Sequence, residues 1–133
     1  MQTLSVVITT PPSSYLTITA IDFIKNAIEA GISVVGVFFY QDGVLNSSAN
    51  LSMPNDEFQT PNEWRKLHTM HNISLHVCIS ACEKRGLTDD IEINDISFKS
   101  NNQQQSNISQ YFTVSGLGEL VELTSKSQRT VQF

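Results

Sequence analysis

Basic clusters and long apolar runs are both missing from this sequence. No run of lysine or arginine occurs, and the formal net charge is −5. Because contact with nucleic-acid phosphates requires a basic surface, we expect no direct binding to nucleic acid. The apolar run near the N-terminus is only as long as a strand, and no basic segment precedes it. This pattern is neither a signal peptide nor a membrane span, so we expect a cytoplasmic protein with no membrane contact.

Cysteine is scarce as well. Cys78 and Cys82 are the only two, and they lie four residues apart. Two thiols in a reducing compartment are usually free, so no disulfide framework is expected. A cysteine pair is half of a zinc site, and the three histidines (His68, His71 and His76) precede it at irregular spacing. The spacing CxxxC also differs from the CxxC of thioredoxin-like proteins. We therefore predict no metal site.

Nucleotide-binding patterns are also lacking. The only glycine-rich string, Ser115 to Gly118, has neither the lysine of a phosphate loop nor the full dinucleotide fingerprint. A tight turn into a helix accounts for it, and we predict no cofactor.

The apolar residues that are present alternate between strand-like runs and helical periods. A strand, a helix closed at Gly31 and a second strand form a β-α-β unit, which implies a parallel sheet. A capping-box sequence at Thr60 to Glu63 and the hydroxyl of Ser115 predict two later helix starts. The second of these helices runs to about Lys126, with Leu117, Leu120, Val121 and Leu123 facing inward. Strands are predicted at residues 4–8, 33–40, 74–80, 111–114 and 129–133, and polar surface loops at 41–60 and 88–110.

These elements predict a single α/β domain over residues 1–133, with three layers and about five mostly parallel strands. Two apolar segments, residues 33–40 and 112–123, hold more apolar surface than one small domain usually hides. We therefore expect the chain to associate with partner subunits.

Cys78 is the residue best placed for chemistry. It lies near the carboxyl end of the third predicted strand, where open parallel sheets react, and just before a short helical turn that favours a thiolate. Lys84 and Arg85 follow closely and add positive charge. Position alone leaves a second interpretation open, because a free cysteine in a strand is often only a small buried apolar residue. His76 shares that side of the strand, and we interpret it as a packing residue rather than a base.

Several segments resemble the DsrE/TusD family of sulfurtransferases. The similarity runs through the whole chain in order, with no large insertion. It is carried by FFYQDGV with Asn46, DEF at 56–58, VCI at 77–79 with Arg85-Gly86, Ser100-Asn101, Gln104, FTVSGLGEL at 112–120 and VQF at 131–133.

The resemblance implies a DsrE-like fold and a persulfide carrier that uses no cofactor, with Cys78 as the carrier cysteine. It implies a sulfur relay in which a TusA-like donor supplies the sulfur and a TusE-like acceptor removes it. TusB-like and TusC-like subunits would complete a heterohexamer, with residues 111–120 supporting subunit packing. The sulfur would end in 2-thiouridine at the tRNA wobble position. The family pattern has no cysteine at the position of Cys82, which leaves open whether Cys82 packs or resolves the persulfide.

Two alternatives remain beside this interpretation. One is a DsrE-type subunit of a sulfur-oxidation complex, which would use similar chemistry in another pathway. The other is a non-catalytic structural subunit in which Cys78 belongs to the core.

Overall fold

The structure is a computed structural model that describes residues 2–89 and 106–133. Its described strands form one parallel sheet of five, in the order β4-β3-β2-β1-β5. This confirms the predicted α/β fold. In chain order the elements are β1 Thr3–Ile8, α1 Tyr15–Glu29, β2 Ser33–Phe39, a 3-10 helix Gln41–Ser47, α2 Thr60–His71, β3 Ser74–Cys78, α3 Ile79–Glu83, β4 Thr113–Ser115, α4 Leu117–Lys126 and β5 Arg129–Gln132.

The helices cover both faces of the sheet. From β1 to β3 the chain moves in one direction across the sheet, so right-handed crossovers place α1 and α2 on one face, where they contact each other. The crossover through α4 returns to β5 beside β1 and therefore lies on the opposite face. There, Leu123 packs so closely on β2 that a Cβ added at Gly36 would lie 2.7 Å from its Cδ2 atom. The predicted three layers are confirmed.

The core is centred on β2, which has a strand on each side. Phe38 and Phe39 are fully buried, and Phe39 packs edge-on against Trp64 of α2 with ring centroids 4.9 Å apart. A central parallel strand is covered on both faces by helices. Most of the apolar surface of residues 33–40 is therefore hidden within the chain, and Val35 and Tyr40 are partly buried.

The segment after β2 is more ordered than the sequence predicts. Residues 41–47 form the 3-10 helix instead of a surface loop, and Gly43, Val44, Asn46 and Ser47 are buried. Of the second predicted loop, residues 90–105 lie outside the described residues, including Gln103 to Gln105. No helix in the described part of the chain is long and apolar enough to cross a membrane.

Helix ends are the other place where prediction and structure differ. Ser14 caps α1, with its Oγ accepting from the Leu16 N–H at 3.1 Å, and Gly31 ends the helix as predicted, with the left-handed φ of +86°. At α2, however, the N-cap is Gln59, and the Glu63 carboxylate pairs with Lys25 and Lys66 instead of closing a capping box.

Helix α4 is less buried than predicted. Its N-cap is Gly116 rather than Ser115, because β4 continues to Ser115. Leu123 is buried and Leu120 is partly buried against the core, whereas Leu117 and Val121 remain 49% and 66% exposed. The expectation that all four residues face inward is wrong, since a helix that packs on a sheet buries only one narrow stripe of its surface.

Candidate functional site

Cys78 lies at the carboxyl edge of the parallel sheet. It is the last residue of β3 and also the N-cap of α3, with the extended backbone of a strand (φ −69°, ψ 125°). The predicted strand ran two residues further, but Ile79 and Ser80 already belong to α3. In register, Cys78 pairs with Ser115 at the end of β4. The strand-to-helix junction expected from the sequence is therefore present.

The thiol of Cys78 is free and buried, with 1% of the residue exposed. Its Sγ atom lies 3.5 Å from the hydroxyl oxygen of Ser80, one of the residues that follow it in α3. A sulfur atom at this position can exchange with another protein only after the surrounding residues move.

Cys82 lies one helical turn beyond Cys78 and is equally buried. Burial raises the pKa of its thiol to about 11, and the charges of Cys78, Asp89 and Glu83 add to the rise, while Arg85 opposes it. The thiolate is the nucleophilic form of cysteine, so Cys82 is a poor nucleophile at neutral pH.

Arg85 connects α3 to the segment that follows β2. Its Nε donates to the carboxylate of Asp42 at 3.0 Å, and its Nη1 donates to the Ala81 carbonyl oxygen at 3.0 Å. The positive charge expected to act on the thiol is therefore paired with a carboxylate. Sequence analysis assigned no role to Asp42, although an acid directly after a parallel strand is placed at the edge where such sheets react.

The 3-10 helix that carries Asp42 is fixed to the core by Asn46. The side-chain nitrogen of Asn46 donates to the carbonyls of Thr10 and Gly43 at 3.0 and 2.9 Å, and its oxygen accepts from the indole N–H of Trp64 at 3.0 Å. Gly43 touches the end of β1 so closely that a Cβ there would lie 2.0 Å from the Ile8 carbonyl oxygen. Asp42 thus stands on a rigid support.

His76 takes part in a polar cluster between β3, β4 and α4. Its Nδ1 atom lies 2.9 Å from the Ser115 hydroxyl, and its Nε2 atom lies 3.6 Å from the Glu119 carboxylate. Burial lowers the pKa of His76, with Lys126 adding to the fall and Glu119 opposing it. Both ring nitrogens have partners, which supports the interpretation of His76 as a packing residue.

A cleft of about 380 Å³ opens near the same edge of the sheet, and sequence analysis did not foresee it. It lies between the 3-10 helix, α2 and the segment that leads into β4, and none of α3 lines it. Its lining residues are Asn46, Ser48, Ala49, Leu51, Pro61, Asn62, Arg65 and Ile108 to Phe112. Metal-ligand clusters of three or more His, Cys, Asp or Glu side chains do not occur among residues 2–89 and 106–133.

Fold and site together define a parallel α/β domain with two buried thiols at the carboxyl edge of its sheet. The chain belongs to the DsrE/DsrF-like family, whose model matches residues 2–133.

Similar proteins agree with this assignment. The chain is 36% identical over 114 residues to the "Sulfurtransferase TusD" of Salmonella arizonae, which covers 86% of this chain and 85% of that protein. It is 36% identical over 111 residues to the protein of the same name from Klebsiella pneumoniae, covering 84% and 83%. Among solved structures, the ychN protein from E. coli superimposes over 100% of both chains with a TM-score of 0.67 at 18% identity, a likeness of fold.

Proposed function

We propose that this chain carries sulfur between proteins as a persulfide on Cys78. The chain is a sulfurtransferase, the activity named for the relatives to which it is 36% identical over most of its length. The observation that carries the proposal is the position of Cys78, a free thiol at the carboxyl end of β3 at the start of a helix. Burial raises the pKa of Cys82, which makes it a poor nucleophile, and we do not propose it as the carrier.

The chemistry is thiol exchange and needs no cofactor. The Cys78 thiolate attacks the outer sulfur of a donor persulfide, the S–S bond of the donor breaks, and the donor leaves as a thiolate that takes up a proton. Cys78 then holds one additional sulfur atom as Cys–S–SH. A thiolate of the acceptor attacks that outer sulfur in the same way, which returns Cys78 to its thiol.

The partners in this proposal follow from the family resemblance. A TusA-like protein would donate the sulfur, a TusE-like protein would accept it, and TusB-like and TusC-like subunits would assemble with the chain into a heterohexamer. The relay would supply 2-thiouridine formation at the tRNA wobble position. A subunit of a sulfur-oxidation complex would use the same transfer step. The genes next to this one distinguish that pathway from tRNA thiolation.

The burial of Cys78 favours a second candidate, a structural subunit in which the thiol only fills the core. Alkylation of Cys78 by iodoacetamide at neutral pH distinguishes a carrier from a structural subunit. A carrier thiol is alkylated in the folded protein through transient opening, whereas a core thiol is labelled only when the chain unfolds globally.

The central test is Cys78→Ser. A serine hydroxyl cannot hold a sulfane sulfur, so the variant should gain no mass when it is incubated with a persulfide donor, whereas the wild type gains one sulfur atom. The fold should survive, because the two side chains are nearly the same size and differ by one atom. A buried hydroxyl without a partner would cost about 1–3 kcal/mol.

Urea unfolding followed by Trp64 fluorescence provides the control for folding. A folded Cys78→Ser protein that still takes up sulfur would show that another residue is the carrier.

A further inference from the structure

Cys78 must become accessible before it can exchange sulfur, because only 1% of it is exposed in the closed structure. If Cys78 is the carrier, as in the proposed function, the protein must have a way to expose it. Exchange requires the incoming sulfur to contact Sγ in line with the breaking S–S bond, which a buried sulfur does not permit. Some element beside Cys78 has to move.

The 3-10 helix is not the element that moves easily. The Asn46 side chain makes three hydrogen bonds within the core. Its partners are the Thr10 and Gly43 carbonyls and the Trp64 indole. Gly43 leaves no space against the Ile8 carbonyl oxygen. Displacement of this segment would break several buried hydrogen bonds at once.

Helix α3 is short, although Ala81 and Cys82 on its inner side belong to the core. It has five residues, fewer than an isolated helix needs to be stable, and Gly86 follows it in the left-handed conformation with φ +76°. It packs on the 3-10 helix, and across that contact Arg85 joins Asp42. The Asp42 side chain is 59% exposed and the Arg85 side chain is 27% exposed, so the pair lies toward the surface, and separating it returns the Asp42 carboxylate to water.

We propose that the Asp42–Arg85 pair is a latch that holds α3 in the conformation that buries Cys78. With the latch closed, Arg85 fixes the Ala81 carbonyl and the carboxylate of the rigid 3-10 helix at the same time. With the latch open, α3 can unwind from Gly86 and expose the thiol at its first turn. Asp42 and Arg85 are thus positioning residues, and an acidic or basic group on a docking partner can compete for either of them.

The experiment measures the alkylation rate of Cys78 in the folded protein, with peptide mapping to separate it from Cys82. Asp42→Asn keeps the shape of the side chain and removes its charge. It should raise the rate by about 1.5- to 5-fold, the range of equilibrium change for an exposed ion pair. Asp42→Ala also removes the hydrogen bond to Arg85 and should raise the rate further. Salt should accelerate alkylation of the wild type, whose pair it screens, and leave Asp42→Ala unchanged.

Glu122→Gln is the matched control. Glu122 pairs with Lys126 at 3.6 Å in α4, is 56% exposed, and loses the same unit of charge on substitution. In this variant Cys78 should be alkylated at the same rate as in the wild type. Trp64 fluorescence during urea unfolding shows whether a variant has lost global stability, since a faster rate that tracks global unfolding is not local opening.

Equal Cys78 rates in the wild type, Asp42→Asn and Asp42→Ala would overturn the latch. A rate increase explained in full by global unfolding, or one matched by Glu122→Gln, would overturn it too. The outcome is separate from that of the proposed function: if Asp42→Ala opens Cys78 to alkylation but no variant accepts persulfide sulfur, the latch stands and the carrier role fails.

Discussion

Cys82 is as deeply buried as Cys78, and its surroundings suppress its ionisation. With a pKa of about 11, Cys82 is ionised to roughly one part in ten thousand at neutral pH. Burial is the main cause of this rise in the pKa of Cys82, and charge on Cys78 contributes to it. On the proposed function, a protonated Cys82 would attack a persulfide on Cys78 only slowly.

Cys82→Ala should accordingly keep most of the sulfur transfer. The change removes one buried sulfur atom and should lower the free energy of unfolding by about 1 kcal/mol, comparable to loss of a buried methylene. The measurement is the rate at which a loaded protein passes labelled sulfur to an acceptor thiol. If Cys82→Ala loses transfer as completely as Cys78→Ser does, then Cys82 is a resolving thiol.

At this scale the sequence predicts the position of Cys78 but not its environment. The apolar run of β3 and the turn after it identify a strand end, which requires only local information. The Asp42–Arg85 pair joins residues 43 positions apart, and a single sequence contains no signal for that contact. The burial of Cys78 likewise depends on contacts between segments that are distant in the sequence.

At the scale of elements, the 3-10 helix after β2 decides the geometry of the site. It lies against the end of β1, holds the side chain of Asp42 toward α3, and buries an asparagine whose three hydrogen bonds are all made. A polar stretch without apolar periodicity predicts a loop, as it did here. What orders this stretch is tertiary: Trp64 and the Thr10 carbonyl come from elsewhere in the chain.

Gly43→Ala should destabilise the protein by about 1–3 kcal/mol, the usual cost of overpacking. The added methyl would lie 2.0 Å from the Ile8 carbonyl oxygen, so backbone atoms must shift. Urea unfolding followed by Trp64 fluorescence measures the change.

Gly118→Ala is the control, and we expect it to raise the free energy of unfolding instead of lowering it. A Cβ there meets nothing within 4 Å, and the position lies in α4, where alanine is favoured over glycine by about 0.5–1 kcal/mol. Equal stabilities for Gly43→Ala and the wild type would mean that the 3-10 helix is not packed on β1 as described.

At the scale of the whole molecule, the described helices cover the two faces of the sheet differently. Among residues 2–89 and 106–133, α1 and α2 pack together on one face and α4 crosses the other. The sequence predicts the strands and layers, because their apolar periods are strong. It could not predict which stripe of α4 is buried, since that depends on the angle at which the helix crosses β1 and β2.

Leu117 and Val121 follow each other at a spacing of four on α4, so they form one exposed apolar stripe. We expect the chain expressed alone to self-associate through this stripe, and to form a defined complex when it is produced with the TusB-like and TusC-like subunits of the proposed assembly. Light scattering should show Val121→Glu to be less associated than the wild type. Met70→Glu is the matched control, because Met70 is 70% exposed on α2, away from the stripe, and should leave association unchanged. A wild-type chain that is a monodisperse monomer, or a Met70→Glu variant that dissociates as Val121→Glu does, would contradict an assembly surface on α4.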